Sequence, residues 1–333
     1  MGSDHQCDIL IIGAGLAGAS TAFHLKRSGA RDVVVLEKES DPGVHSSGRN
    51  AAMIRAWVGD SDVAEFTRAG AVALRTGQHC EFRHTGSVLL GLGNDPVGDY
   101  FPMAAGAGRW CPDDGVVDPA GLLLTYLRGQ DVRYDVAVRS WESVDDGFEI
   151  RTDVGAFRSR VLVNAAGPWA GVVGELPLEA RNRHLYVTPS IDGIDATLPF
   201  VWDVVNGLYF RPEGGGLLLC ACDESRREPG DYLVDDAVEE LLAAKFRKHQ
   251  PLLANVRIKT RWTGQRVFAA DEKFVIGFDA RYPGLFHVAG LGGHGVTSSY
   301  AVGQFAAESI VGRVNHEKHP FSPTRLIDAP SVV

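Results

Sequence analysis

The stretch "CDILIIGAGLAGASTAFHLKRSGARDVVVLEKES", residues 7–40, decides the fold of this chain. The apolar run from Ile9 to Ile12 predicts a short buried strand, the glycines after it predict a turn, and residues 17–27 have helical composition. A second apolar and β-branched run, Val33 to Leu36, ends at Glu37. This order predicts a β-α-β unit whose two strands run parallel.

The glycines of this unit follow the spacing G-x-G-x-x-G. Gly13 permits a tight turn, Gly15 lets a pyrophosphate approach the backbone, and Gly18 allows the helix to pack closely on the strand. The phosphates would lie at the helix N-terminus, and Glu37 would accept hydrogen bonds from ribose hydroxyls. The spacing therefore predicts a dinucleotide site, but it does not by itself separate NAD from FAD.

Two later segments favour FAD. Residues 161–171, "VLVNAAGPWAG", form a strand that runs into small residues, where the backbone passes close to a ligand. Residues 285–310 give a strand, a glycine-rich turn and a helix whose N-terminus can face a developing anion. An NAD dehydrogenase of this length would usually continue with β-α repeats, whereas residues 132–164 are typical of a β-meander that returns to the main sheet.

The bulk composition excludes several classes of protein. The chain has 333 residues, 45% hydrophobic and 23% charged, which predicts two domains or one large α/β unit. Its net charge of −9 argues against a nucleic-acid partner bound through phosphates. No apolar run approaches the roughly 20 residues that span a bilayer, and no signal peptide is evident. The cysteines form no C-x-x-C pair, so we expect free thiols, no metal site and a cytoplasmic location.

Six motifs together resemble the FAD-dependent amino-acid oxidoreductases of the D-amino-acid oxidase superfamily. This group contains glycine oxidase, sarcosine oxidase and the D-amino-acid dehydrogenases, and the pattern looks most like D-arginine dehydrogenase. The resemblance covers most of the chain, and its strength lies in the order and spacing of the motifs. They are, in order, "IIGAGLAGAS", "PGVHSSGRNAA", "VLVNAAGPWAG", "LYFRPEGG", "RWTGQRVFAAD" and "VAGLGGHGVTSS".

The resemblance implies an α/β fold with a Rossmann-like FAD-binding domain and a second, smaller substrate domain built on an antiparallel sheet. The FAD-binding domain is expected to be discontinuous, with residues 1–80, 118–175 and 270–325. The substrate domain is expected to take residues 81–117 and 176–269. Within it, the composition of residues 93–117, rich in Gly, Pro and Asp, predicts a loop. The tail beyond residue 313 is expected to be irregular.

The cofactor implied by the resemblance is non-covalent FAD, since no cysteine lies between Arg266 and the end of the last predicted helix. In residues 45–51, hydroxyls, a guanidinium and exposed N–H groups suit phosphate and flavin oxygens. The N–H groups of residues 292–296, with the dipole of the helix that follows, suit negative charge at the flavin N1/O2 edge. The implied cofactor residues are Gly13, Gly15, Leu16, Ala17, Gly18, Glu37, Lys38, His45, Ser46, Ser47, Gly48, Arg49, Asn50, Ala51, Val136, Ala165, Ala166, Gly167, Trp169, Arg266, Gly290, Gly292, Gly293, His294, Gly295, Val296 and Thr297.

Arginine and tyrosine residues are implied to hold a substrate carboxylate. Arg266 and Tyr209 match carboxylate-binding positions of the family, and Arg183 aligns with a second carboxylate-binding arginine. A guanidinium suits this task because its planar fork binds a carboxylate through two hydrogen bonds and its charge is permanent. Each arginine could instead form a structural ion pair. Arg211 is expected on the opposite face of its strand from Tyr209.

Three further positions near the predicted flavin carry open alternatives. Met53 and Arg55 stand where the sequence departs from its relatives, so they are expected to influence substrate choice. Arg55 either neutralises an acidic substrate side chain or is simply solvated. His294 is either a base or hydrogen-bond partner near the flavin ring, or a packing residue.

The expected function is oxidation of a small amino acid, with a D-amino acid favoured. A hydride would pass from Cα to flavin N5, and the imino acid would hydrolyse to the 2-oxo acid. Oxygen or a quinone would then reoxidise the flavin. The alternatives are a 2-hydroxy-acid dehydrogenase, a biosynthetic oxidase of a larger carboxylate substrate, and a non-catalytic flavoprotein subunit. The complete carboxylate clamp favours an enzyme over a subunit.

Overall fold

A computed structural model describes residues 5–314 and 318–327 of the chain. Residues 1–4, 315–317 and 328–333 lie outside the described residues. Part of the tail that was expected to be irregular therefore lies outside them too. Within residues 318–327 the tail includes a short helix, Thr324–Ile327, contrary to that expectation.

Strands and helices alternate in the first part of the chain, and strands dominate the middle. The strands are β1 (His5–Ile12), β2 (Val33–Leu36), β3 (Met53–Ile54), β4 (Phe82–Arg83), β5 (Ser87–Pro96), β6 (Ala107–Cys111), β7 (Gly115–Val117), β8 (Asp131–Arg133), β9 (Val138–Val144), β10 (Gly147–Thr152), β11 (Ala156–Asn164), β12 (Glu179–Val187), β13 (Phe200–Asp203), β14 (Leu208–Glu213), β15 (Gly216–Cys220), β16 (Thr260–Phe268), β17 (Val275–Phe278) and β18 (Leu285–Ala289). The α-helices are α1 (Leu16–Arg27), α2 (Ser61–Arg75), α3 (Pro119–Leu127), α4 (Ala170–Gly174), α5 (Asp236–His249), α6 (Gly295–Ile310) and α7 (Thr324–Ile327).

The first sheet has eight strands and contains the predicted β-α-β unit. Its main path is β17-β18-β11-β1-β2-β8, and β10 and β9 extend from β11. Strand β1 runs parallel to both β2 and β11, which confirms the β-α-β prediction and the return of the meander into this sheet. Ile9 and Ile11 face the helices α1, α2, α3 and α6, whereas Leu10 and Leu162 face the meander. Both faces are buried, so the strands are apolar throughout.

The second sheet has seven strands in the order β16-β12-β15-β14-β13-β5-β6. All its neighbours are antiparallel except β13 and β5. Helix α5 covers one face, where Leu242 and Phe246 pack against Phe210 and Leu219. The opposite face carries Leu185 and other side chains that pack on the segment just before β3. This face, opposite α5, is the one that we call the uncovered face. It is turned toward residues 45–51, which we call the cofactor segment.

A third sheet of three short strands, β3-β7-β4, links the chain after the predicted cofactor segment to residues 82–117. The expectation of a loop over residues 93–117 was wrong, because β5 extends to Pro96 and both β6 and β7 follow. These strands are short, and their partners lie far away in sequence, so local composition gave no periodic signal. Met53 pairs with Val116 across β3 and β7.

The two large sheets draw on different parts of the chain. Strands of the first sheet come from residues 5–36, 131–164 and 275–289, and those of the second from residues 87–111 and 179–268. The fold is thus the expected mixed α/β architecture with two domains. The individual boundaries given above remain a prediction.

Candidate active site and cofactor groove

The glycine turn after β1 is built by close backbone contacts. Gly13 has a φ of 103°, and a Cβ atom there would lie 2.6 Å from the carbonyl oxygen of Ala165. A Cβ atom on Gly18 would lie 2.0 Å from the carbonyl oxygen of Gly13. Gly15 immediately precedes α1 in an extended conformation. The turn therefore needs glycine at Gly13 and Gly18, and the first N–H of α1, that of Leu16, donates to the Ser47 hydroxyl at 2.9 Å.

Glu37 fixes this turn from the end of β2. Its carboxylate accepts hydrogen bonds from the N–H of Ala14 at 2.9 Å and from the N–H of Glu39 at 3.1 Å. The side chain is buried, at 7% exposure. The next residue, Lys38, places its ammonium 3.5 Å from the ring centre of Trp169. Glu37 and Trp169 therefore line one groove near the ends of β2 and β11.

Two adjoining cavities follow the carboxyl ends of the first-sheet strands. We call the larger, of about 730 Å³, the cofactor groove, and the smaller, of about 120 Å³, the inner cavity. Predicted cofactor residues that line the groove are Gly13, Gly15, Glu37, Lys38, His45, Ser46, Ser47, Val136, Ala165, Ala166, Gly167 and Trp169. Those that line the inner cavity include Leu16, Ala17, Arg49, Asn50, Arg266, Gly290, Gly292, Gly293, Gly295 and Val296.

These cavities fit a flavin dinucleotide. The Ser46 hydroxyl borders both of them and is buried with no hydrogen-bond partner among the described residues. At Gly15 a Cβ atom would lie 3.0 Å from the Ser47 hydroxyl, and both residues line the groove as well as the inner cavity. Since hydroxyls and a helix N-terminus suit phosphates and a buried carboxylate suits ribose, the donor set matches FAD. The glycine-rich loop 290–295 would then border the flavin.

The remaining predicted cofactor residues act behind the cavity walls. Gly48 allows close backbone packing, because a Cβ there would lie 2.5 Å from the carbonyl oxygen of Gly43. The Thr297 hydroxyl donates to the carbonyl oxygen of Met53 at 3.4 Å. Residues of this group that line neither cavity are Gly18, Gly48, Ala51, His294 and Thr297.

His45 connects the cofactor segment to Tyr232, which lies in the loop between β15 and α5. Its Nε2 atom lies 2.8 Å from the Glu39 carboxylate, and its Nδ1 atom lies 2.9 Å from the Tyr232 hydroxyl. Arg49 lies 4.7 Å over the Tyr232 ring and donates to the carbonyl oxygens of Val44 and Thr263. The guanidinium of Arg49 is thus engaged in structural contacts, and its predicted phosphate contact stays a prediction.

The uncovered face of the second sheet brings the predicted substrate residues together. Cross-strand pairing places Arg183 opposite Gly264 and Tyr209 opposite Cys220. Arg266 lies two residues beyond Gly264, so it projects to the same face as Arg183. Sheet register therefore assembles the site from three strands that are distant in sequence.

Arg266 is half-buried and carries a free guanidinium. It lines the inner cavity next to Gly292 and Gly293, and its guanidinium makes no hydrogen bond or ion pair with the described residues. Burial, and then the nearby charge of Arg183, lowers its pKa. A buried cation without a counter-ion is an open position for an anionic ligand.

Tyr209 is fully buried, and its hydroxyl has no hydrogen-bond partner among the described residues. Its ring stacks on Trp202, with ring centroids 4.6 Å apart. Trp202 was not predicted from sequence, although the short apolar run "FVWD" that holds it could have indicated a strand. Stacking fixes the Tyr209 ring, and because the residue lines neither cavity, its contact with a substrate carboxylate stays a prediction.

Arg183 differs from Arg266 because its guanidinium already has two partners. Its Nε atom donates to the carbonyl oxygen of Asp223 at 2.8 Å, and its guanidinium pairs with the Glu224 carboxylate. The structural ion pair that sequence left open is therefore present. Arg183 contributes mainly its field to the site, and its direct contact with substrate stays a prediction.

Arg211 was placed wrongly on the opposite face from Tyr209. Residues two apart on a strand point to the same side, and the Arg211 side chain donates to the carbonyl oxygen of Ala51 at 2.6 Å, where Tyr209 also packs. Its guanidinium also pairs with Glu213 at 2.5 Å. Arg211 is thus a structural arginine that ties the second sheet to the cofactor segment.

His294 precedes α6 at the border of the site. Burial, followed by the charges of Arg55, Arg266 and Arg183, lowers its pKa to about 3. The imidazole is therefore neutral at physiological pH and is a weak base. A hydrogen-bonding role fits this environment better than proton abstraction.

Arg55 is not simply solvated. Its Cζ atom lies 3.8 Å from the ring centre of Trp202, and burial lowers its pKa to about 10. Met53, on β3, packs with Ala51 and Leu185 against the uncovered face. Both predicted specificity residues therefore lie on the side of the second sheet that carries Tyr209, a predicted carboxylate-binding residue.

Two structural expectations concern metals and membranes. Residues 5–314 and 318–327 contain no group of three or more His, Cys, Asp and Glu side chains that could hold a metal ion. Over those same ranges, no helix combines the length and the apolar character needed to cross a membrane.

Comparison with known proteins identifies the family. The family described as FAD dependent oxidoreductase (DAO) matches residues 8–100 and 95–309. Human mitochondrial dimethylglycine dehydrogenase is 26% identical over 267 residues, which cover 64% of this chain and 30% of that protein. This chain thus spans about a third of the length of such curated relatives.

Solved structures show the same fold along the whole chain. L-proline dehydrogenase from P. horikoshii has a TM-score of 0.85 at 20% identity, covering 97% of this chain and 98% of that one. Glycine oxidase from Geobacillus kaustophilus has a TM-score of 0.82 at 23% identity, covering 96% and 99%. Since the family match extends through both large sheets, the chain belongs to the FAD dependent oxidoreductase family, whose cofactor is FAD.

Proposed function

We propose that this chain oxidises a small amino acid, with the D enantiomer preferred, at the bond between Cα and nitrogen. The imino acid then takes up water and releases ammonia to give the 2-oxo acid. The observation that carries the proposal is the free, half-buried guanidinium of Arg266 at the inner cavity, with the unpartnered Tyr209 hydroxyl on the same sheet face. Together they provide an anchor for one carboxylate.

The comparisons support an amine substrate over a 2-hydroxy acid. The relatives reported above are named for dimethylglycine, L-proline and glycine, each of which carries a carboxylate beside an amine nitrogen. The proline and glycine enzymes give no preference for the D configuration, so stereochemistry rests on the sequence resemblance alone.

The electron acceptor that regenerates FAD is proposed to be oxygen or a quinone. All five cysteines are free thiols, which supports a cytoplasmic location.

The residues of this chain position the substrate. Arg266 would bind the α-carboxylate through two parallel hydrogen bonds, and Tyr209 would donate a third, so that Cα is held in one orientation. The hydrogen and electron pair removed from Cα would go to the FAD that the residues of the cofactor groove and the inner cavity would hold. His294 is neutral, so its nitrogen can accept a hydrogen bond from the substrate amine. Since burial and then the charges of Arg55, Arg266 and Arg183 lower the pKa of His294, the amine would lose its extra proton to solvent and not to His294.

A substrate panel tests the reaction class. FAD-loaded protein is mixed anaerobically with D-amino acids, L-amino acids and 2-hydroxy acids, and the loss of flavin absorbance is followed. We expect D-amino acids to reduce the flavin fastest. Faster reduction by 2-hydroxy acids would establish the rival activity, and no reduction by any member of the panel would refute the proposal.

Replacing Arg266 by methionine tests the carboxylate anchor. We expect Arg266→Met to weaken substrate binding by about 2–5 kcal/mol, because the substrate carboxylate loses its desolvated partner. The measurement is the substrate dependence of the anaerobic reduction rate. Arg109→Met, at an exposed position on edge strand β6 of the same sheet, is the matched control and should bind normally. An Arg266→Met variant with normal affinity would remove Arg266 from this role.

A further inference from the structure

The substrate site contains a second guanidinium, that of Arg55, without an acidic partner. Arg55 lies just after β3, and its backbone N–H donates to the Thr297 hydroxyl of α6 at 3.4 Å. Its guanidinium lies over Trp202, which stacks in turn on Tyr209. Arg55 is therefore held between α6 and the uncovered face of the second sheet, beside the residues that anchor the first carboxylate.

The acid that acts most on Arg55 is already committed to other donors. This acid is Asp114, which is buried at 2% exposure. One of its carboxylate oxygens accepts from the N–H of Ala56 at 3.1 Å, and the other accepts from the Ser87 hydroxyl at 2.7 Å. No described carboxylate forms an ion pair with the Arg55 guanidinium. Its charge is compensated only from a distance.

The position of Arg55 over the Trp202 ring leaves its guanidinium available to an anion. An arginine beside an aromatic face can still direct N–H donors to a carboxylate and form two parallel bonds with it. The ring also shields one side of the charge from water, so an anion bound at the edge is attracted more strongly than at the open surface.

The site holds more guanidinium charge than its ion pairs neutralise. Arg183 has its own ion pair, whereas Arg266 and Arg55 have none among the described residues. Burial raises the pKa of the Cys220 thiol, but the Cys222 thiol and the charges of Arg183 and Arg266 outweigh it and lower that pKa to about 6. A Cys220 thiolate would offset only one positive charge. Burial lowers the pKa of Arg55, and Asp114 and Cys222 raise it from a distance, but no described carboxylate pairs with its guanidinium.

We propose that the preferred substrate carries a second carboxylate, which Arg55 binds while Arg266 binds the first. The substrate class is therefore an acidic amino acid. This inference rests on the proposed function, because that function assigns the α-carboxylate to Arg266. It resolves the two roles that the sequence left open for Arg55 in favour of binding an acidic side chain.

Turnover of matched acid and amide substrates tests this proposal. The FAD-loaded enzyme is compared on aspartate against asparagine and on glutamate against glutamine, in both enantiomers. We expect kcat/KM to favour the acid by roughly 30-fold or more, as a close charge pair provides. Arg55→Met should reduce this ratio to near one, and Arg55→Lys should keep part of it. Arg68→Met, on the exposed side of α2, should keep the full ratio.

A binding measurement separates this inference from the proposed function. Succinate and butyrate are titrated into the FAD-loaded protein, and the change in the flavin absorbance spectrum gives each dissociation constant without turnover. We expect succinate to bind at least about tenfold more tightly, and Arg55→Met to abolish the difference. Tighter succinate binding with no amino acid oxidised would refute the proposed function and leave the two-carboxylate site standing. Oxidation of neutral amino acids with equal binding of both probes would overturn this inference alone.

Discussion

The glycines of the first turn differ in what an added methyl group would meet. At Gly18 the methyl group would collide with the backbone carbonyl of Gly13 at 2.0 Å, which cannot move without opening the turn. At Gly15 the nearest atom is the Ser47 hydroxyl at 3.0 Å, and the φ of −72° is one that alanine adopts freely. Gly18 is therefore required by the fold, and Gly15 is predicted to be required by the ligand that would approach it.

Gly15→Ala should weaken FAD binding while leaving the protein folded. The added methyl group would occupy the space in which a pyrophosphate approaches the N-terminus of α1, so we expect FAD affinity to fall by about tenfold or more. Fluorescence titration of FAD into the FAD-free protein gives this value. The control is Gly59→Ala, because Gly59 has open space around it and its φ is not positive. Equal FAD affinity in both variants would contradict the placement of the pyrophosphate.

The arginines mark the limit of residue-level prediction. The motif order singled out Arg266, and the structure leaves its guanidinium free at the inner cavity. Arg211 was misplaced because it binds the carbonyl oxygen of Ala51, a residue 160 positions away. Whether an arginine is free or committed depends on such distant backbone groups, which no local pattern contains.

At the level of elements, helices α1 and α6 pack so closely at Gly303 that a Cβ atom does not fit there. A Cβ atom on Gly303 would lie 2.1 Å from the Ser20 hydroxyl, which donates to the carbonyl oxygen of Ser299 at 2.8 Å. One turn later His24 meets Tyr300, with ring centroids 4.5 Å apart. The His24 ring is buried in this interface, and its Nε2 atom has no partner among the described residues.

His24 should make the folded state less stable in mild acid. Burial, then the charge of Arg27, lowers its pKa from 6.5 to about 4. As pH falls below 6.5 the unfolded chain takes up this proton and the folded chain does not, so the free energy of unfolding falls by up to about 1.4 kcal/mol per pH unit until about pH 4. Urea unfolding of wild type and His24→Leu between pH 7 and pH 4 measures the slope.

We expect the slope that His24 contributes to disappear in His24→Leu. His84→Leu, at an exposed position, carries the same substitution away from this interface and should keep the wild-type slope. If His24→Leu and wild type lose stability in parallel, His24 does not remain neutral in the folded protein.

Strands with a continuous apolar run were predicted from the sequence, whereas strands of two or three residues were not. The run in β1 identified a buried strand, and its parallel pairing with β2 followed from the β-α-β order. Strands β3, β4 and β7 contain two or three residues each, and each exists only because its partner supplies the hydrogen bonds. Such strands have no periodicity to detect.

On the scale of the whole molecule, the cofactor groove joins segments that are far apart in sequence. The bond between His45 and Tyr232 spans 187 positions, and the bond between Leu16 and Ser47 spans 31. Tyr232 was not predicted as a site residue, because its loop has no motif and contacts His45 and Arg49 only through the tertiary fold. A ligand lying along the groove touches several of these segments at once.

FAD should therefore stabilise the entire fold by mass action. At a free FAD concentration 100 times the dissociation constant, the expected gain is about 2.7 kcal/mol, which raises Tm by several degrees. Thermal unfolding followed by circular dichroism, with and without FAD, measures the shift. NAD is the control ligand and should produce none at equal concentration. Acid precipitation should release all the flavin, and a shift with NAD equal to that with FAD would contradict the assignment of the groove.

Strand β3 has a consequence for how such enzymes diversify. It is held by main-chain pairing with β7 and by the bond from the N–H of Val117 to the carbonyl oxygen of Ala52, while its side chains Met53 and Ile54 pack into the core. The chain before it is predicted to border the cofactor, and Arg55 directly after it is proposed to face the substrate. Gene duplicates can thus exchange the residue at position 55 while retaining flavin binding, which makes this turn a transferable unit for redesigning substrate preference.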